Sequence, residues 1–202
     1  MTQRTVIPTV VVLLLAGGCA LFEPREPEQP SQSGSNLPPP TTADVVLSNL
    51  QSSISSRNLV GYMGCFSNPA TNSRGLIFIP SPDYIAQLQP WSYSREYTFM
   101  QDLISRARPN GLSSLILIPV SSLVSSDSVD YQYVYTFTFE TTPENNFTSR
   151  AHGRVEFKVG LEDSRTRWSI YYWADSPENP GDTTWSAFKR KFSGSSWFLM
   201  PW

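Results

Sequence analysis

The chain has 202 residues, 40% of them hydrophobic and 16% charged, with a formal net charge of −2, 17 prolines, one histidine and two cysteines. That length holds one domain with a genuine core plus additional segments. The charge balance excludes a nucleic-acid footprint, which needs clustered Lys and Arg, and one His with two Cys cannot build a familiar zinc site.

The first element is a single basic residue, Arg4, followed by an apolar run from Val6 to Leu15 broken only by Pro8 and Thr9. A run of about ten residues is half the roughly 20 needed to span a bilayer. It therefore reads as a secretory signal over residues 1–18, to be set aside in reasoning about the fold. Leu15-Ala16-Gly17-Gly18-Cys19 comes next. Small residues ahead of a cysteine resemble the lipobox of bacterial lipoproteins, with Ala16 where that family favours leucine. The resemblance implies cleavage before Cys19, lipidation of its thiol and a membrane anchor of two or three acyl chains, in which each buried methylene contributes about 0.8 kcal/mol. It also implies the outer membrane, periplasmic or surface face, because Ala20 rather than Asp follows the cysteine. With Cys19 lipidated, Cys65 has no partner in the chain and reads as a small buried hydrophobe.

After Cys19 the chain to Pro40 is a tether. Phe22 to Pro40 is rich in Glu, Pro, Ser and Gln, ending in Pro38-Pro39-Pro40. Such composition buries too little apolar surface to offset ordering entropy. Extended at about 3.1 Å per residue, it spaces a domain roughly 60 Å from the anchor.

A domain is expected over residues 41–193. Thr41 or Thr42 caps a first helix with Val46, Leu47, Leu50 and Ile54 at helical spacing. A short helix is expected over Asn58 to Cys65, with Leu59, Tyr62, Met63 and Phe66 as its apolar side. Leu76 to Ile79 reads as a strand, and Pro80, Pro82 and Pro90 punctuate the stretch after it. Ser94 is the expected cap of a third helix with a buried stripe of Tyr97, Met100, Leu103, Ile104 and Ala107, ended by Pro109-Asn110-Gly111.

The period then changes to two. Leu115 to Val124 is one strand. In the next, Val129, Tyr131, Tyr133, Tyr135, Phe137 and Phe139 alternate with largely polar residues. A strand over about Thr148 to Leu161 turns Ala151, Gly153, Val155, Phe157 and Val159 to one side. Arg167 to Ala174 has Trp168, Ile170 and Tyr172 on one face and Tyr171 and Trp173 on the other, the pattern of a central strand covered twice. Asp182 or Thr183 caps a last helix with Trp185, Phe188 and Phe192 on one side. The tail over residues 194–202 ends in Trp197-Phe198-Leu199-Met200-Pro201-Trp202, apolar enough to fold back or to form a contact surface.

Helices first and long antiparallel strands after them make an α+β pattern. Residues 42–192 resemble the nuclear-transport-factor-2-like superfamily, whose cone-shaped fold is shared with polyketide-cyclase-like and ketosteroid-isomerase-like proteins. The likeness rests on the helix pair ending in Tyr62-Met63-Gly64-Cys65-Phe66, the helix before three long strands, Arg167-Trp168-Ser169-Ile170-Tyr171-Tyr172-Trp173-Ala174-Asp175, and Thr184-Trp185-Ser186-Ala187-Phe188-Lys189. It implies N-terminal helices packed on a strongly curved, mainly antiparallel sheet around a pocket. The chain departs from the group by adding one helix after the last strand. The rival fold is a small antiparallel β-barrel with the helices as a lid.

Enzymes of that group work by acid–base chemistry in the pocket. Here the only histidine, His152, falls on the polar side of its strand beside Arg154 and Glu156. Asp130 and Glu140 read as charges at the strand ends. No catalytic residue, cofactor or metal site is assigned, and Asn146-Phe147-Thr148, a glycosylation acceptor by pattern, has no bearing on a bacterial lipoprotein. Tyr131, Tyr133, Tyr135, Phe137, Trp168 and Tyr172 are the residues that would line a pocket for a small apolar ligand; core packing is the competing expectation. Two functions stand open: a non-catalytic envelope module binding a protein or ligand at the membrane, and a small-molecule binder or isomerase/cyclase-like enzyme using the cone.

Overall fold

The computed structural model describes residues 37–142 and 149–193. Cys19, residues 1–18 read as a signal, most of the proline-rich stretch, Asn146-Phe147-Thr148 and the tail 194–202 lie outside the described residues.

The Thr42 hydroxyl accepts from Val45 N at 3.3 Å and caps α1, Ala43–Ser55. Val46, Leu47, Leu50 and Ile54 are its buried stripe. Just before it, the Pro38 carbonyl accepts from Asn49 Nδ2 and the Pro40 carbonyl from Trp168 N, each at 2.8 Å. The end of the proline-rich stretch thus lies against the domain. Asn58 caps α2, Leu59–Met63, by accepting from Gly61 N at 2.9 Å. β1 is Ile77–Ile79. Among the prolines after it, a 3-10 turn, Pro82–Tyr84, leads into α3, Ile85–Leu88, which sequence spacing does not suggest.

The next helix, α4, is Tyr93–Ser105 and starts earlier than expected: Ser92, not Ser94, caps it, accepting from Arg95 N at 3.2 Å. Its buried side is Glu96, Phe99, Met100 and Leu103, while Tyr97 is 43% exposed. Those four positions fall on one helical face. Met100 and Leu103 are buried as expected and Ile104 and Ala107 pack against the core; the expectation failed at Tyr97, where it passed over the charged residue beside it.

The long strands are β2, Ser113–Val124, β3, Ser128–Phe139, β4, Arg150–Leu161, and β5, Trp168–Ser176. They join β1 in one five-stranded sheet of order β1-β5-β4-β3-β2. β2 to β5 pair antiparallel in sequence, and β1 runs parallel to β5. The fold is the α+β class read from the sequence, and the sheet is open. A barrel needs its two edge strands to pair, so the barrel alternative is overturned.

In β3, Val129, Tyr131, Tyr135, Phe137 and Phe139 are buried, and in β4 so are Ala151, Gly153, Val155, Phe157 and Val159, matching the alternation. β5 corrects it. The register with β4 shifts between Lys158 and Val159: Lys158 faces Tyr172 and Val159 faces Ile170. The extra residue, Tyr171, is a bulge that reverses the facing of everything after it. Ile170 and Trp173 therefore both enter the core, and Tyr172 turns to the opposite face under the Lys158 ammonium. β5 is an interior strand, between the short edge strand β1 and β4, but its two faces are not equally covered. Its outer aromatics are only half-buried, Tyr171 beneath Arg74 and Tyr172 beneath Lys158.

The last helix among the described residues, α5, is Trp185–Phe192. Thr184, not Asp182 or Thr183, precedes it, and makes no side-chain cap bond. α1 packs on β2, β4 and β5 and α5 on β4, enclosing one core.

Candidate functional site

In α5, Trp185, Phe188, Lys189 and Phe192 recur at the spacing of one helical face, and all are buried. This face fills the space between the sheet and α4. The Trp185 ring stacks on Phe137 with centroids 4.4 Å apart and planes at 14°, and meets Trp173 edge-on at 4.6 Å. Phe188 meets Phe137 edge-on at 5.1 Å.

Lys189 stands in the same stripe with its side chain fully shut off from solvent, as is that of Glu96 on α4, with which it forms an ion pair. Four aromatic rings surround the ammonium: Nζ lies 4.0 Å from the centroid of Trp173, 4.6 Å from Phe78, and 4.8 Å from both Trp91 and Phe99. Ring faces attract cations electrostatically, and more strongly when water is absent. The carboxylate is held as firmly. Tyr62 Oη donates to Oε1 at 2.5 Å, and Trp91 Nε1 to Oε2 at 2.6 Å, the oxygen that also receives Lys189. On Trp91 the Arg95 guanidinium also lies 4.7 Å from the ring centroid.

Burial outweighs the attraction of Glu96 and Asp175 and lowers the Lys189 ammonium to about 8. Burial, then the Glu96 charge, drives the Tyr62 phenol well above its usual value. With both oxygens bound by donors, Glu96 is suited to holding a cation.

A second buried group fixes the start of α5. Asp175 on β5 accepts from Tyr135 Oη at 2.7 Å on one oxygen, and from Ser186 N at 2.7 Å and Ser186 Oγ at 2.5 Å on the other. Tyr135 Oη accepts in turn from Trp185 N at 2.7 Å. These acceptors satisfy first-turn amides that a side-chain cap would otherwise serve, and a carboxylate there suits the helix dipole. Burial raises the Asp175 carboxyl despite its hydrogen bonds. Ser81 joins the group, its N donating to Ser186 Oγ and its hydroxyl 2.9 Å from Thr184 Oγ1. The indole N–H groups of Trp173 and Trp185 are buried without an acceptor among the described residues.

Of the residues read as pocket-lining, Tyr135 and Phe137 are fully buried and meet at Trp185. Tyr131 and Tyr133 lie further along β3, stacked at 5.7 Å, and Tyr131 Oη donates to Asp44 at 2.5 Å. Trp168 packs half-buried at the core margin. Tyr172 is on the other face of the sheet, through the bulge. His152 is half-buried on that outer face, Nδ1 3.3 Å from Thr136 Oγ1. Asp130 pairs with Lys158 at 2.7 Å and Glu140 with Arg108 at 3.7 Å. Sequence reasoning missed Glu96, Trp91, Asp175 and Lys189 as site residues, the last two entering only as members of the runs that carry the resemblance. The available signal was a single charge interrupting each of two apolar helical stripes.

No protein-family model and no curated protein matches the chain. Solved structures do. A conserved protein from Planctomyces limnophilus superposes with a TM-score of 0.52 at 6% identity, covering 66% of this chain and 91% of that one. A candidate aromatic ring hydroxylase from Novosphingobium aromaticivorans gives 0.51 at 7% identity, covering 72% and 92%. A nuclear transport factor 2 (NTF2-like) superfamily protein from Salmonella enterica gives 0.49 at 16% identity, covering 67% and 89%. At such identities the likeness concerns the fold alone: helices against an open, mainly antiparallel sheet.

Proposed function

We propose that the protein is an envelope lipoprotein, anchored by lipid on Cys19, whose NTF2-like domain serves as a non-catalytic binding module. The observation that carries the non-catalytic reading is the position of α5. Its Trp185, Phe188 and Lys189 side chains are each fully buried, in the interior where the resemblance to the cone-shaped fold implies a pocket. The order of signal, small residues and cysteine supports the anchor, and the proline-rich stretch supports display of the domain away from the membrane. The alternative, a binder or isomerase-like enzyme using the cone, requires α5 to withdraw first.

The test is expression of the full chain in a bacterium, with mass spectrometry of the mature N-terminus and membrane fractionation. An acylated Cys19 at the N-terminus and release of Cys19→Ala from the membrane fraction are expected. An unmodified terminus elsewhere removes the anchor. Turnover of a small molecule by the purified domain, with no partner recovered from membranes, removes the binding module.

A further inference from the structure

Lys189 sits where a ligand would. Its ammonium is enclosed by Trp173, Phe78, Trp91 and Phe99 and neutralised by Glu96, and the carboxylate is itself oriented by Tyr62 and Trp91. Aromatic faces around a cation are a recognition device for ammonium ligands. The geometry points to an ammonium-binding site, made by α4, β1, β5 and Trp91 just ahead of α4, that the chain's own helix α5 occupies as an internal ligand. The chemical class it takes is a primary alkylammonium ion. One N–H must reach Glu96 Oε2, which a quaternary ammonium cannot supply, and an uncharged alcohol leaves the carboxylate without a counter-ion in a dry interior. Binding of such an ion and seating of Lys189 are mutually exclusive. The inference is independent of the lipid anchor, and it agrees with a binding module whose interior opens only when α5 leaves.

The test uses the full chain carrying Lys189→Ala. This substitution removes the side chain beyond Cβ, a fragment equivalent to n-propylammonium. The melting temperature of K189A is expected to rise with n-propylammonium chloride in a saturable way, because a ligand that binds only the folded state stabilises it by mass action. 1-Propanol and tetramethylammonium chloride at the same concentrations are expected to do markedly less. The same ion is expected to leave Glu96→Gln/Lys189→Ala unmoved. If K189A is unfolded on its own, n-propylammonium is expected to restore its native circular dichroism. Equal effects of the alcohol or the quaternary ion, or no effect of n-propylammonium, overturn the site.

The unaltered chain supplies a second readout. At about ten times its Kd for K189A, n-propylammonium is expected to speed hydrogen exchange of the α5 amides about tenfold over matched sodium chloride, since it captures the state with Lys189 withdrawn. Unchanged exchange there means that the ion does not compete with Lys189, and the inference falls.

Discussion

Lys189 and Glu96 meet inside the domain from positions 93 residues apart in the chain, with neither side chain open to solvent. One comes from the last helix and the other from the helix before the long strands, so their pairing ties the end of the domain to its middle. The desolvation cost of two buried charges is large, and geometry this closed offsets it only while both partners are present.

Removing one charge should therefore cost more than removing both. Lys189→Met or Glu96→Gln alone is expected to lower unfolding free energy by about 3–5 kcal/mol, the range for stranding a buried charge. The double variant should recover part of that loss. Urea denaturation of the four proteins in the cycle measures the coupling, and strictly additive losses would show that the charges do not support one another.

The pair also sets a pH dependence. Burial lowers the folded pKa of Lys189 from 10.5 to about 8. Between those values the unfolded chain keeps a proton that the folded chain has released, so this group's contribution to stability increases as pH rises through the window. Stability is expected to rise with pH through that window relative to Glu96→Gln/Lys189→Met, because the neutral amine still donates to Glu96 where the methionine of Lys189→Met donates nothing. A flat or falling difference in denaturation midpoints would contradict the assignment.

Gly153 lets β4 and β5 lie close beside Tyr135. A Cβ there would collide with the Ser176 carbonyl oxygen and come within 3.1 Å of the Tyr135 ring and hydroxyl. Gly153→Ala is expected to destabilise by about 1–3 kcal/mol, as overpacking does. It should also disturb the Tyr135–Asp175 hydrogen bond, seen as faster exchange at Trp185 and Ser186 N. A melting temperature unchanged from the parent would show that the strands yield freely.

Cys65 is buried, donates to the Gly61 carbonyl at 3.3 Å, and burial pushes its thiol up to about 12. The thiolate is the reactive form. In a Cys19→Ala chain, labelling by a disulfide reagent should be negligible in the native state and become fast in denaturant. Prompt native labelling would mean that this part of the core opens locally.

Much of the scaffold was legible because it obeys local rules. Thr42 and Asn58 cap where their hydrogen-bonding side chains precede apolar repeats, and β3 and β4 keep their alternation from end to end. The elements that escaped break a local rule for a tertiary reason. Proline spacing concealed α3, and the bulge at Tyr171 exists only in relation to β4. In the stripes of α4 and α5 the buried charges were missed because Glu96 and Lys189 look like surface charges until each is given the other.

The sequence by itself determined the α+β class, the chain order of the long strands, the faces of β3 and β4, and the burial of Tyr135 and Phe137, since period and capping are properties of neighbouring residues. Tertiary structure alone decided that α5 fills the interior, that Tyr172 leaves that face, and that Lys189 lies among four rings opposite Glu96. A charge survives inside a protein only through its partner, and no local pattern in the chain records a partner 93 residues away.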